Sequence, residues 1–391
     1  MIFTLEALQA EHGDSLLLHY GKASDPRLIL IDGGPPIVWQ QTLQPRLDAL
    51  RSALSDDETP LTIDLVMISH IDDDHIGGVL GMTRTLRKAR DNGEEVPYDV
   101  LGLWHNAFED LVDDDAAPAA MAAALPSAAS ASSTAIAAAL PMKEEDAVAV
   151  VASVDQGRRL RDDAGVLNWD SNPGFKGLVR KTSKKPKAIK QGAGLTLEVI
   201  GPSQARLDAL REEWLRIVEQ KNKAKPADFN AIVADFVDKS VFNLSSIVAV
   251  ARAAKRNILL TGDARGDDLL DALRTSGMLE NGKVHFDVFK VPHHGSERNV
   301  APELFEAVTA DHYVISANGK HGNPDVPMLE MLVEARGKDP YTIHLTNAVP
   351  HAVDVLKKKK TGRKYKVVVR KKAAPSLSID LADALPAELR A

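Results

Sequence analysis

The 391-residue chain contains no cysteine, which removes disulfides, thiolate metal sites and cysteine nucleophiles from consideration. Any metal ion must be held by histidine, carboxylate, carbonyl or water. Aromatic residues are sparse at 5%. No run of about 18 uninterrupted apolar residues occurs, so no membrane-spanning helix is expected. The N-terminus also lacks a basic segment followed by a long apolar one, and a cytoplasmic protein without membrane contact is the resulting expectation. A positive overall charge is missing too. The formal net charge is -7, which gives no global attraction to nucleic acid or anionic lipid.

Hydrophobic residues at 44% and charged residues at 26% are ordinary for a folded globular chain. The average charge hides two basic blocks. Lys176 to Lys190 carries seven lysines or arginines and Lys357 to Lys372 carries ten. Such blocks bind polyanions when they flank a cleft and are otherwise solvated faces. Neither has the interleaved aromatics of a base-stacking platform, with Phe175 and Tyr365 the only candidates.

Strands are expected at Phe3 to Leu8, Ser15 to His19 and Leu28 to Ile31, with a Gly13-Asp14 turn joining the first two. Gln40 to Leu54 has helical spacing, and Leu61 to Ile68 reads as one strand. Residues Asp113 to Ala139, rich in alanine, serine and aspartate, suit a helical or mobile insert. Further strands are expected at Leu195 to Ile200, Ser246 to Ala251, Asn257 to Leu260, Phe286 to Val291, Tyr313 to Ser316 and Tyr365 to Arg370. Ala373 to Ala391 reads as a loosely attached tail. Strands alternating with helices, and ending in polar clusters, indicate an α/β arrangement.

The densest cluster is MISHIDDDHIGG, Met67 to Gly78, where two histidines and three aspartates fall within six residues. Its bland reading is an acidic loop capping a helix that starts near Ile76. Capping needs one carboxylate, however, whereas His70, Asp72, Asp74 and His75 can face one point as a dinuclear site requires. Asp32, at a strand end before Gly33-Gly34, can support ligating imidazoles from behind. Asp263 after Thr261-Gly262 can bridge two cations, and His293-His294 end another strand.

The ordered set Leu30-Ile31-Asp32-Gly33-Gly34, Ser69 to Gly78, Leu260-Thr261-Gly262-Asp263 and Val291-Pro292-His293-His294-Gly295-Ser296 resembles the metallo-β-lactamase superfamily. Within it, the hydrolase domain of ComEC-type competence proteins and their soluble relatives is most similar, and Gly13-Asp14-Ser15 fits that group. The resemblance implies an αββα sandwich over residues 1 to 355, an insert at about 107 to 194, and a basic strand and tail at 356 to 391. It implies two divalent ions, zinc or manganese, one at His70 and Asp72 and the other at Asp74, His75 and one of His293 and His294, with Asp263 bridging. Asp72 stands where the wider superfamily places histidine. The superfamily's third-motif histidine is missing as well, with Asn243 a weak substitute behind the metals.

Because neighbouring residues at a strand end face opposite ways, His294 is taken as ligand and His293 as supporting group or proton donor. His321 is weighed equally as proton donor and as solvated loop residue, and Asp74 is placed with the catalytic groups. Ser296, Asn318 and Lys320 are candidate substrate contacts. His105 is weighed as a pocket residue against a buried histidine satisfied by backbone. The expected activity is phosphodiester hydrolysis, on nucleic acid or another diester. The alternatives are a small-ester, lactone or choline-phosphodiester hydrolase, and an effector subunit whose insert or basic tail binds a protein partner, as in phage defence.

Overall fold

A computed structural model of the chain describes residues 1–54, 59–107, 110, 144–221 and 245–391, with 144–154 and 213–221 as backbone only. The alanine-, serine- and aspartate-rich stretch at 113–139 and Asn243 lie outside these residues.

Two mixed sheets face each other. The first comprises β1 (Ile2–Leu8), β2 (Leu16–Lys22), β3 (Asp25–Ile31), β5 (Leu65–Met67), β7 (Gly102–Trp104), β8 (Asp170–Ser171) and β17 (Ser376–Asp380), in the order β17-β1-β2-β3-β5-β7-β8. The second comprises β9 (Ala188–Gly192), β10 (Leu195–Gly201), β11 (Val248–Ala253), β12 (Arg256–Leu260), β13 (Val284–Lys290), β14 (Val308–Ile315), β15 (Thr342–Leu345) and β16 (Lys366–Val369), ordered β16 through β9 in reverse sequence. Period-two alternation builds the interface. On β1, Phe3, Leu5 and Ala7 face the second sheet while Ile2 and Leu8 face the helices. On β11, Ala249, Ala251 and Ala253 point inward and Val248 and Val250 outward.

Helices cover both outer faces. Over the first sheet lie α1 (Pro36–Val38), α2 (Gln44–Leu54), α3 (Asp73–Asp91) and α4 (Glu144–Leu167), contributing Leu47, Leu50, Ile76, Val79, Met82 and Leu160 to one core. Residues Gln204–Lys221 form α5. The second sheet is covered by α6 (Gly266–Thr275), α7 (Pro302–Ala307), α8 (Val326–Arg336) and α9 (Pro350–Lys358). This is the αββα sandwich the motifs imply, and no helix among the described residues is long and apolar enough to cross a membrane.

Two expectations are corrected. The strand expected at Leu61 to Ile68 is two: β4 (Leu61–Ile63) pairs with β6 (Tyr98–Val100) outside the main sheet, and β5 pairs with β3. Asp64 makes the break. Its buried carboxylate accepts from Tyr20 Oη at 2.5 Å and Arg27 Nε at 2.9 Å, which a regular strand position would not permit. The tail is not loose either, because β17 extends the first sheet antiparallel to β1, from Thr4↔Asp380 to Leu8↔Ser376. Within the expected insert, β8 and β9 are edge strands of the two sheets, so part of that span is built into the sandwich.

Candidate metal centre

The cluster forms where strands of both sheets end. Asp32 follows β3, Ser69-His70 follow β5, Asp263 follows β12, and His293-His294 follow β13. Asp32, His293 and His294 have φ of 55°, 48° and 54°, left-handed values that side-chain-bearing residues adopt sparingly and that concentrate at functional turns. The expectation that His293 and His294 alternate like strand residues does not apply, since β13 ends at Lys290 and both occupy a tight turn.

Asp72 is the N-cap residue of α3 by backbone, yet its carboxylate makes no capping hydrogen bond. It lies instead 3.4 Å from His70 Nε2. The remaining acids and imidazoles converge on Asp263. Its Oδ1 is 3.2 Å from His75 Nε2, and its Oδ2 is 3.4 Å from His294 Nε2, 3.7 Å from His293 Nε2 and 3.9 Å from His70 Nε2. Asp74 Oδ2 is 3.2 Å from His294 Nε2. Asp32 stands behind the loop: its Oδ2 accepts from Ser69 Oγ at 2.7 Å and His75 Nδ1 at 2.9 Å, and its Oδ1 accepts from the Ser69 amide at 2.7 Å.

Residues 15–155 match the family model described as the metallo-beta-lactamase superfamily. Over that stretch the chain is similar to the metallo-β-lactamase superfamily. Solved structures similar to it include a candidate metal-dependent hydrolase of Parabacteroides distasonis, at 9% identity with 94% of this chain and 98% of that chain covered and a TM-score of 0.31. Another is the metallo-β-lactamase fold protein YhfI of Bacillus subtilis, at 9% identity with 97% and 100% covered and a TM-score of 0.40. Among curated proteins, none matches significantly.

The residues of this centre fit a divalent cation by their hydrogen bonding. His75 Nδ1 donates to Asp32, His294 Nδ1 donates to Ser316 O at 3.1 Å, and His70 Nδ1 donates to Ser69 Oγ at 3.0 Å while that hydroxyl donates onward to Asp32. Each ring proton is thereby fixed on Nδ1, leaving a lone pair on Nε2. All three Nε2 atoms, with Asp263 Oδ1, are buried without a hydrogen-bond partner. Orphaned buried polar atoms cost about 1–3 kcal/mol each, a cost that a shared cation removes. Asp14, His75, Asp263 and His294 each offer a donor atom within 4.8 Å of the others.

Electrostatics point the same way. Burial works to raise the Asp263 pKa, but His294, His75 and His293 hold it well below the carboxylate range. Burial likewise works to lower His75 and His294, while Asp263, with Asp32 or Asp14 beside it, holds both well above the usual imidazole value. The pocket thus favours positive charge among its imidazoles and carboxylates.

Of the residues expected from sequence, His70, Asp72, Asp74, His75, Asp263 and His294 meet at one point, with Asp32 behind them and half-buried His293 at the edge. Asn318 donates from Nδ2 to Glu11 Oε2 at 2.8 Å, and exposed Lys320 donates from Nζ to His12 Nε2 at 3.1 Å. His321 is exposed on the same rim, with its ring 6.2 Å from that of His12. Ser296 is buried in the turn after His294. Where a third-motif histidine is missing, Ser246 Oγ accepts from the Asp263 amide at 3.3 Å. His105 is buried, with Nε2 bonded to Gly157 O at 3.1 Å, and burial pushes its pKa down to about 4.

Sequence reasoning missed Asp14, Lys290 and His12. Asp14 was read as a hairpin turn and as part of the family likeness, with no role at the centre; its signal was a charged residue directly before an apolar strand. The hairpin reaches the centre because Gly13 lacks a side chain: a Cβ there would lie 1.9 Å from Asp74 O. Gly13→Ala is expected to cost about 2–3 kcal/mol or more by overpacking, read as a fall in denaturation midpoint, with weakened metal binding because Asp74 must shift. Wild-type values for both would remove the close approach from the argument.

Proposed function

We propose that the chain is a metal-dependent hydrolase of phosphodiesters, with polyanionic substrates such as nucleic acid as the class it serves. The observation that carries this reading is the placement of cations around the centre. The first basic block leaves β8 and enters β9 at the end of the sandwich where Asp263 and His70 lie, and Lys176, Lys184, Lys185 and Lys187 are exposed. Arg370, Lys371 and Lys372 follow the parallel edge strand β16 at that same end, whereas Lys357 to Lys364 precede it at the other. Seven strand spacings separate β9 from β16, at about 4.8 Å each, so the basic flanks stand on the order of 34 Å apart along the sheet. A polyphosphate chain lying between them crosses the acidic centre. The competence-protein resemblance, with Asp72 in place of histidine, agrees with this class.

In the mechanism, His70, Asp72, Asp74, His75, Asp263 and His294 would hold the divalent cations. Bound there, divalent ions supply an activated water and neutralise charge on the attacked phosphorus and leaving oxygen. Ser69 and Asp32 keep the imidazoles in the ligating tautomer. His293, beside Asp263 and open to solvent, delivers a proton to the departing oxygen. Lys320 on the rim contacts a non-bridging phosphate oxygen.

The test is metal analysis of the purified chain, followed by hydrolysis of bis-(p-nitrophenyl) phosphate, single- and double-stranded DNA and RNA with Mn or Zn. A chain that binds no metal, or cleaves no diester, ends the proposal. The combined Lys184→Glu, Lys185→Glu and Lys187→Glu variant is expected to raise KM for an oligonucleotide on the order of tenfold at low salt, fading as salt rises. Its action on the small diester should stay at the wild-type level. Equal loss on both substrates would remove the basic flank from substrate binding.

A further inference from the structure

Lys290 ends β13 with its side chain turned into the protein, only 1% exposed. A buried ammonium requires a partner, and it has one in Asp14, whose Oδ2 is 2.5 Å from Nζ; Nζ also donates to Val291 O at 2.9 Å. The other oxygen of Asp14 has no hydrogen bond and faces His294, 3.4 Å from Nδ1. His294 turns Nε2 the opposite way, toward Asp74 and Asp263. Although Asp14 falls within the 4.8 Å donor group, its near oxygen is therefore at the back of the imidazole. Asp32 stands likewise behind His75, where it also accepts a hydrogen bond from Nδ1 at 2.9 Å. The hairpin is tied in place around this contact: Ser316 Oγ donates to Gly13 O at 2.6 Å, and the Asp14 amide donates to Asp74 O at 3.2 Å.

We infer that the buried Lys290 and Asp14 pair positions His294 and sets how tightly the His294 side of the centre holds a divalent cation. The inference rests on the reading that the centre binds metal. The two partners carry opposite charges at the same place, so removing either has opposite consequences for a cation. Asp14→Asn leaves an uncompensated ammonium behind the ligand. Lys290→Met, of similar length, leaves an uncompensated carboxylate. A pair that merely packs would shift metal binding in the same direction in both variants, or not at all.

The experiment is a calorimetric Mn(II) titration of the full chain, with bound metal counted by mass spectrometry, for wild type, Asp14→Asn, Lys290→Met and the double variant. Asp14→Asn is expected to weaken one Mn equivalent by about 10–100-fold, the range for groups that orient a ligating histidine, and to leave the other equivalent in place. Lys290→Met is expected to tighten that equivalent, and the double variant to return toward wild type. Shifts of the same sign in both single variants, or shifts within twofold, overturn the inference. If Asp14→Asn does not fold, Lys290→Met decides alone, because unchanged or weaker Mn binding there is contrary to the expectation. A wild-type chain that takes up no Mn overturns the metal reading itself, a result distinct from normal uptake with unresponsive variants.

Discussion

Asp263→Asn is expected to lower kcat/KM for bis-(p-nitrophenyl) phosphate by on the order of 10³-fold and to reduce bound metal to one ion per chain or fewer. Asp263 lies within 4 Å of His70, His75, His293 and His294, with Oδ1 turned to His75 and Oδ2 to the other three. Asparagine keeps the volume but replaces one oxygen with an NH2 group, which aims hydrogens at Nε2 lone pairs and at the cation position. Cations at such sites contribute several kcal/mol of charge stabilisation. At 1.36 kcal/mol per factor of ten, a loss of about 4 kcal/mol gives the expected 10³-fold. Metal analysis and steady-state kinetics check it on the same preparation, with circular dichroism confirming the fold. A variant that keeps two ions and more than a tenth of the activity would mean that Asp263 does not join the two sides of the centre.

The parts of the site that were legible in the sequence are those written locally. His70 to His75 lie within six residues, and Asp263 and His293-His294 each follow an apolar strand beside a glycine, so their positions needed only the strand assignments. What was not legible depends on chain segments far apart in sequence. Asp14 becomes part of the centre only because Gly13 lets the first hairpin touch Asp74, and Lys290 reads as an ordinary strand-end lysine until Asp14 is beside it. The orientation of His293 and His294 was misjudged because two successive left-handed residues replace the strand alternation. In the fold, period-two patterning located most strands of both sheets. It gave no sign that Asp64 would divide one of them, since that break arises from side-chain partners on β2 and β3. Nor did it reveal that Ser376–Asp380 would pair with the first strand of the chain.

That pairing underlies the largest expected stability effect. On the helix-facing side of β1, Glu6 is fully buried and accepts from Arg46 Nε at 2.7 Å, Arg46 Nη2 at 3.0 Å, His19 Nε2 at 2.7 Å and Ser376 Oγ at 2.5 Å. Arg46 also donates to Leu389 O, so one carboxylate gathers the first hairpin, α2, β17 and the C-terminal turn. Glu6→Gln leaves Arg46 buried without its counter-charge, which is expected to destabilise the chain by roughly 3–5 kcal/mol at neutral pH. The pH dependence follows from the same contacts. Burial works to raise the Glu6 pKa, but hydrogen bonds and charge from His19 and Arg46 bring it from 4.5 down to about 2. A depressed carboxylate pKa contributes stability that is fully present above the unfolded value and is lost as pH falls through the folded one. Over that interval the wild type should lose roughly 3 kcal/mol from this group, at about 1.4 kcal/mol per pH unit. Glu6→Gln has no such component to lose. The difference between the two proteins should therefore shrink between pH 4.5 and 2, measured by urea unfolding in EDTA so that metal release does not contribute. A difference that stays constant across that range would show that the Glu6 cluster acts by packing, without the charge pairing argued here.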